Sequence, residues 1–222
     1  MKKLIDHLSG FITENRKKLF EQVLDSRTRY ITVVLEDIYQ PQNASAVLRS
    51  CECFGIQDVN IIENKNEYQI NPEVVMGASK WLNIHKFQGK EFNTPDAISD
   101  LRSKGYRIIA TTCREGAVDL NDFDVQKGKF ALFFGTELTG LTGQMLEQAD
   151  EFVRIPMHGF TDSFNISVSA AIILHHLRNK LLESGVDWKL GEKERDELMI
   201  EWLHRSIKHL HGKSPEDFSN LE

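Results

Sequence analysis

Residues 166–182, ISVSAAIILHHLRNKLL, are apolar around most of a helix circumference, through Ile166, Val168, Ala170, Ala171, Ile172, Ile173, Leu174 and Leu177. A helix of that composition belongs at the centre of a fold or inside a subunit interface. It follows a short apolar strand, Glu151 to Pro156, and a loop with Gly159, Thr161, Asp162 and Ser163. Open α/β sheets place ligands where a strand end hands small polar groups to the start of a buried helix. Residues 151–182 are therefore the expected centre of both fold and chemistry.

The rest of the chain alternates strands with helices. Tyr30 to Glu36 is β-branched and apolar, as in a strand covered on both faces. Pro41 opens a helix, PQNASAVLRSCECFG, that Gly55 closes, and Asp58 to Glu63 is the second strand. A short helix started by Pro72 and a short strand over 81–87 follow. Thr94, as a cap before Pro95 and Asp96, starts another helix, then come strand 106–112, a turn-rich stretch 113–129 and the buried strand Phe130 to Gly135. Such alternation predicts an α/β fold, a mostly parallel sheet with helices on both faces. Residues 3–24 form one helix or two short ones, and Lys193 to His211 an amphipathic helix packed through Leu198, Trp202, Leu203, Ile207 and Leu210. The expected organisation is an α/β domain over 30–183, between a basic helical extension, 1–29, and a C-terminal helical extension, 184–222.

No apolar run is long enough to span a bilayer, and the start MKKLIDHLSGFITENRKK lacks the apolar core of a secretion signal, which predicts a cytoplasmic protein without a membrane partner. Cys51, Cys53 and Cys113 cannot make a disulfide framework, and Cys51-x-Cys53 lacks the spacing of a metal site, so no metal is expected and the pair reads as packing residues. The net charge of −6 is uneven: the first thirty residues hold seven Lys/Arg against four Asp/Glu. Arg16, Lys17, Lys18, Arg27 and Arg29 read either as a solvated helix face or as an arm for phosphates.

Three clusters carry candidate chemistry. Asn43-Ala-Ser-Ala-Val-Leu-Arg49 pairs an amide with a guanidinium, a fork of donors matched to phosphate or carboxylate. Phe134-Gly135-Thr-Glu137-Leu-Thr-Gly140 sets a carboxylate between two glycines just past a buried strand. The third is the loop before residue 166, with Ser163 and Asn165 at its tip and Ile155 and Phe164 as apolar walls for a planar heterocycle. Ser163 is in no G-x-S-x-G elbow, and neither a G-x-G-x-x-G nor a P-loop occurs, which argues against a serine hydrolase, a dinucleotide and an NTP held by its phosphates.

In order, NASAVLR, FFGTELTGLT and RIPMHGFTDSFNISVSAA resemble the three motifs of the SPOUT superfamily of RNA methyltransferases, in particular its SpoU/TrmH branch of ribose 2′-O-methyltransferases. The likeness covers about residues 27–182. It implies a C-terminal trefoil knot, S-adenosyl-L-methionine (S-adenosylmethionine) as cofactor and a homodimer packed through the last knot helix. By position in the motifs, Asn43, Arg49, Glu137, Ser163 and Asn165 would be catalytic, and Thr111, Gly135, Ile155 and Phe164 would contact the cofactor. Arg27, Lys80, Arg178 and Lys180, with Arg16, Lys17 and Lys18, would bind RNA. Gln42 stands where tRNA-modifying relatives carry His, and Phe164 replaces the usual Leu.

Within that branch, a basic helical N-terminus and a helix past the knot match the enzymes that methylate the D-loop guanosine at position eighteen of tRNA. Methylation of an rRNA or another tRNA nucleotide, or RNA binding without catalysis, are the alternatives. A guanidinium stays protonated, so Arg49 reads as a ligand for phosphate and for the emerging alkoxide rather than as a general base, with Asn43 and Glu137 orienting it.

Overall fold

Successive strand side chains point to opposite faces of a sheet, and all six residues of the first strand, Ile31–Glu36, are buried, so both faces of that strand are covered. The computed structural model, which describes residues 1–136 and 138–207, shows how. Two helices, α1 (Lys2–Ser9) and α2 (Glu14–Leu24), precede β1 (Ile31–Glu36), α3 (Pro41–Cys53) and β2 (Asp58–Ile62). Then come α4 (Pro72–Val75), β3 (Asn83–Phe87), α5 (Thr94–Ser103), β4 (Arg107–Thr111) and the two-residue β5 (Val118–Asp119). The chain continues through β6 (Phe130–Phe134), α6 (Gly143–Gln148), β7 (Glu151–Arg154), α7 (Ile166–Glu183) and α8 (Glu192–Ser206).

The seven strands form one sheet in the order β3-β2-β1-β6-β4-β7-β5, with every pairing parallel. Val33 and Leu35 face a core built with Val47 and Leu48 of α3 and Ile173, Leu174 and Leu177 of α7. Val34 faces the opposite core, with Ile98 and Leu101 of α5, Phe133 of β6 and Met145 of α6. Full burial of a residue such as Leu174 or Phe133 contributes about 1.5–3 kcal/mol. Packing against the sheet and α3 accounts for the buried side of α7, with Ile166, Ala170, Ile173, Leu174 and Leu177, and leaves Val168 exposed.

The described chain divides into two compact units, residues 29–188 and residues 1–28 with 189–207. In the second, the two ends of the chain fold together. Phe20 of α2 meets Trp202 of α8 edge to face with ring centroids 5.6 Å apart, and Arg195 reaches Asp25 at 2.7 Å. Leu198, Trp202, Leu203 and Ile207 are buried as their spacing predicts. Leu210 lies outside the described residues.

Several local expectations need correcting. Asn93, not Thr94, is the residue before α5; the Thr94 hydroxyl instead donates to Glu36 at 2.6 Å. Cys51 is buried but Cys53 is exposed, because residues two apart on a helix point about 200° apart and one packed face cannot hold both. The helix α6 had no clear sequence signal. Among the described residues no helix is long and apolar enough to cross a membrane.

An ion cluster at the start of β2 gives a pH dependence. Burial pushes the Asp58 carboxyl up, but hydrogen bonds from His85 and Asn83 and the charge of Arg29 outweigh it and leave the group below its ordinary value. Arg29 Nε lies 3.1 Å from the carboxylate. The fold thus favours the ionised form, so its stabilisation is complete above the carboxylate range and drains as pH falls through the folded value. Asp58→Asn is expected to lower the melting temperature at neutral pH, with the gap to the parent protein closing below about pH 4. Thermal melts across pH check this.

Candidate functional site

Because all strands run parallel, their C-terminal ends share one edge of the sheet. The segments leaving β4, β6 and β7 enclose there a cavity of about 420 Å³, within the range of small-molecule sites. Thr111, Gly135, Ile155 and Phe164, the four residues predicted to contact a cofactor, all line it, as does Ser163. The Thr111 hydroxyl is turned into the sheet, donating to the Phe133 carbonyl at 2.7 Å. Phe134, Leu141, Val153, Ile155, Ile166 and Ile173 supply apolar wall. Apolar faces interleaved with main-chain donors and acceptors suit a flat heterocycle joined to a sugar, so these residues fit an adenosyl group.

One wall is the loop from Gly135 to Thr142. Thr136 and Gly140 exchange two N–H to carbonyl bonds of 3.0 Å each, and Gly140 turns the chain with φ +68°, a conformation that favours glycine. The loop folds so tightly onto its own beginning that a Cβ on Gly135 would overlap the backbone of Gly140 and Leu141. Its far end is clamped by Glu36, a carboxylate 1% exposed at the end of β1. Glu36 accepts from the Thr142 backbone N–H and hydroxyl, both at 2.8 Å, and from Thr94. Sequence reasoning missed Glu36, although a lone carboxylate ending the apolar run Ile31-Thr-Val-Val-Leu-Glu36 was a readable signal. Arg114, which lines the cavity from the loop after β4, was missed as well.

The opposite wall starts at α7. Asn165 caps this helix, accepting from the Ser167 backbone N–H at 2.8 Å, and its amide donates to the Asn43 side chain at 3.1 Å. Asn43 is buried on α3 and donates in turn to Gln40 at 3.0 Å. Two predicted site residues, 122 positions apart, are thus joined directly.

Arg49 stands elsewhere. It is exposed on α3, does not line the cavity, and makes no hydrogen bond or ion pair among the described residues. The expected link from Asn43 to Arg49 is absent there, because six residues turn a helix by about 600°, which leaves the two side chains about a third of a turn apart. Glu137 lies outside the described residues. Among the expected RNA-binding cations, Arg16, Lys18 and Lys80 are exposed and Lys17 is half-buried, while Lys180 donates to the Asn121 carbonyl at 2.7 Å. Arg27 and Arg178 depart from that expectation. They are only 1% and 7% exposed, with the guanidinium carbons 5.3 Å from the Trp202 ring centroid and 3.9 Å from that of Trp188. A guanidinium is weakly hydrated and flat, so it stacks on an indole in a packed setting.

The chain is similar to known RNA-modifying enzymes. It is 44% identical to a tRNA (guanosine(18)-2′-O)-methyltransferase of Borreliella burgdorferi, over 93% of this chain and 92% of that one. A crystal structure of the Aquifex aeolicus TrmH/SpoU tRNA modifying enzyme superimposes with a TM-score of 0.77 at 26% identity, covering 87% of this chain and 98% of that one. An S-adenosylmethionine-bound rRNA methyltransferase from Sinorhizobium meliloti follows at TM-score 0.61 and 25% identity, over 71% and 59% of the two chains. The sequence of the SpoU rRNA Methylase family is matched from residue 30 to residue 175, from the first sheet strand into the helix that backs the cavity, and the chain belongs to that family.

Proposed function

We propose that this protein transfers a methyl group from S-adenosylmethionine to the ribose 2′-hydroxyl of the guanosine at position 18 of tRNA. The observation that carries the reading is the convergence of Thr111, Gly135, Ile155 and Phe164 on one cavity at the C-terminal sheet edge. The substrate is that of the Borreliella relative, whose length this chain matches almost end to end. The cofactor, when bound, supplies an electrophilic sulfonium methyl. The Gly135–Leu141 loop and the walls at Ile155 and Phe164 would hold its adenosyl part; the C-terminal knot implied by the motifs would place these segments around it.

The work left to the other residues is to deliver the 2′-oxygen and manage its charge. Arg49 is exposed and uncommitted among the described residues, as a phosphate ligand must be before RNA arrives. Its fork of donors binds the phosphate beside the reacting ribose and stabilises the alkoxide as the 2′-hydroxyl proton passes to that phosphate or to water. Asn43 and Asn165 lock the start of α7 to α3, and Ser163 lies at the cavity wall, where its hydroxyl, held among the described residues only by a 3.5 Å bond to Asp162, can turn to the sugar. Glu137 completes the set through its motif position.

Arg16, Lys17, Lys18, Lys80 and Lys180 supply cations for the RNA backbone. The outer face of α7, with Val168 and Leu182 exposed beside an apolar groove at Pro156 and Ile172, is where a second copy of the chain would pair in a homodimer. A cytoplasmic location follows from a tRNA substrate. The test is incubation of unmodified tRNA and rRNA transcripts with labelled cofactor and mapping of the product. Methylation at guanosine 18 of tRNA is expected; label on rRNA alone, or on no RNA, would overturn the assignment.

A further inference from the structure

Among the described residues, the large apolar side chains most open to solvent share a location. Phe160 and Leu138 are almost entirely exposed and Tyr39 is 72% exposed. They stand on three different loops, after β7, β6 and β1 respectively, and all three loops leave the same edge of the sheet. β1 and β6 are direct neighbours. The Asn165–Asn43 bond ties the end of the loop carrying Phe160 to the helix that begins two residues after Tyr39. Leu138 lines the cavity itself, and the Phe160 loop contributes Met157, Ser163 and Phe164 to it. Leu138 at the cavity, with a solvent-facing phenylalanine and tyrosine on loops of the same sheet edge, makes an apolar rim, and apolar surface so concentrated marks a site of contact.

We propose that this rim receives the base of the nucleotide being methylated, with the ring of Phe160 as its stacking partner and Tyr39 and Leu138 bounding it. The inference rests on the ribose-methylation reading above. A 2′-oxygen inside a stacked RNA strand cannot reach a cavity recessed between loops, so the nucleotide must swing out and lose its neighbours. Unstacked bases are recaptured by aromatic side chains, which accept any base because every base has a π-face. The charge around the opening suits the same ligand. Arg114 lines the cavity, is exposed, and its guanidinium makes no hydrogen bond or ion pair among the described residues, leaving it for a flanking phosphate.

The experiment is steady-state kinetics on unmodified tRNA with Phe160→Leu, Phe160→Trp and Tyr39→Leu, together with calorimetric binding of S-adenosylmethionine and sedimentation of each variant. Phe160→Leu keeps an apolar side chain but removes the ring. It is expected to raise KM for tRNA by roughly tenfold or more, with cofactor affinity and sedimentation unchanged, and Phe160→Trp is expected to restore it. Tyr39→Leu should move KM in the same direction by less. A KM for tRNA unchanged in both leucine variants of an active protein overturns the rim while leaving ribose methylation intact. A shift of Phe160→Leu to a smaller sedimenting species also overturns it, by making a second copy of the chain the occupant. A parent protein that transfers nothing to tRNA overturns the substrate reading instead, and the rim with it.

Discussion

Replacing Arg49 with alanine is expected to lower methyl transfer about 10²–10³-fold, the loss typical of removing one donor aimed at a developing oxyanion. Binding of S-adenosylmethionine should stay at the parent level, because Arg49 does not line the cavity. Stability should also hold: the side chain is exposed and makes no hydrogen bond or ion pair among the described residues, and such surface changes usually stay within about 0.5 kcal/mol. Lysine at this position keeps the charge but loses the planar fork that grips two oxygens together, so Arg49→Lys should recover little of the rate. Single-turnover transfer with saturating cofactor, beside calorimetry on the same samples, separates these quantities. Near-parent turnover by the alanine variant would remove Arg49 from the reaction.

The second large effect belongs to Gly135→Ala. One added methyl would sit inside the main chain of Gly140 and Leu141, and backbone cannot rotate away as a side-chain tip can. The pair of 3.0 Å bonds between Thr136 and Gly140 and the Glu36 clamp on Thr142 hold that backbone in place. The overlap is therefore expected to cost about 1–3 kcal/mol of stability, as overpacking of well-filled interiors does, and to open the loop that forms a cavity wall. Cofactor binding should weaken at least tenfold, taking about 1.4 kcal/mol of that strain as lost affinity. Gly143→Ala is the control, since a Cβ there meets nothing within 4 Å and φ is not positive; it should behave like the parent protein. Equal cofactor affinity in the two variants would mean that the loop does not shape the binding site.

Residues whose role follows from local pattern were legible in the sequence. The apolar strands and the run 166–182 announced a parallel sheet with a buried helix, and the motif positions led to Thr111, Gly135, Ile155 and Phe164 in one cavity. What escaped depends on distant partners. Alternation of strands and helices predicts parallel pairing, but nothing local says that β6 lies between β1 and β4. Glu36 gains its part from Thr94 and Thr142, 58 and 106 residues away. The burial of Arg27 and Arg178 was not legible because a cation is read as exposed until its tryptophan partner is known. The helix α6 is six residues long and buries only Met145, too short to show a period.

The pairing of the two chain ends has a consequence for biosynthesis. Helices α1 and α2 leave the ribosome well before α8, because the tryptophan that packs against Phe20 is residue 202. At about 5–20 residues per second, the first helices wait roughly 10–30 s for their partner. During that interval Phe20, buried in the finished fold, lacks its Trp202 partner and adds exposed apolar surface to the nascent chain.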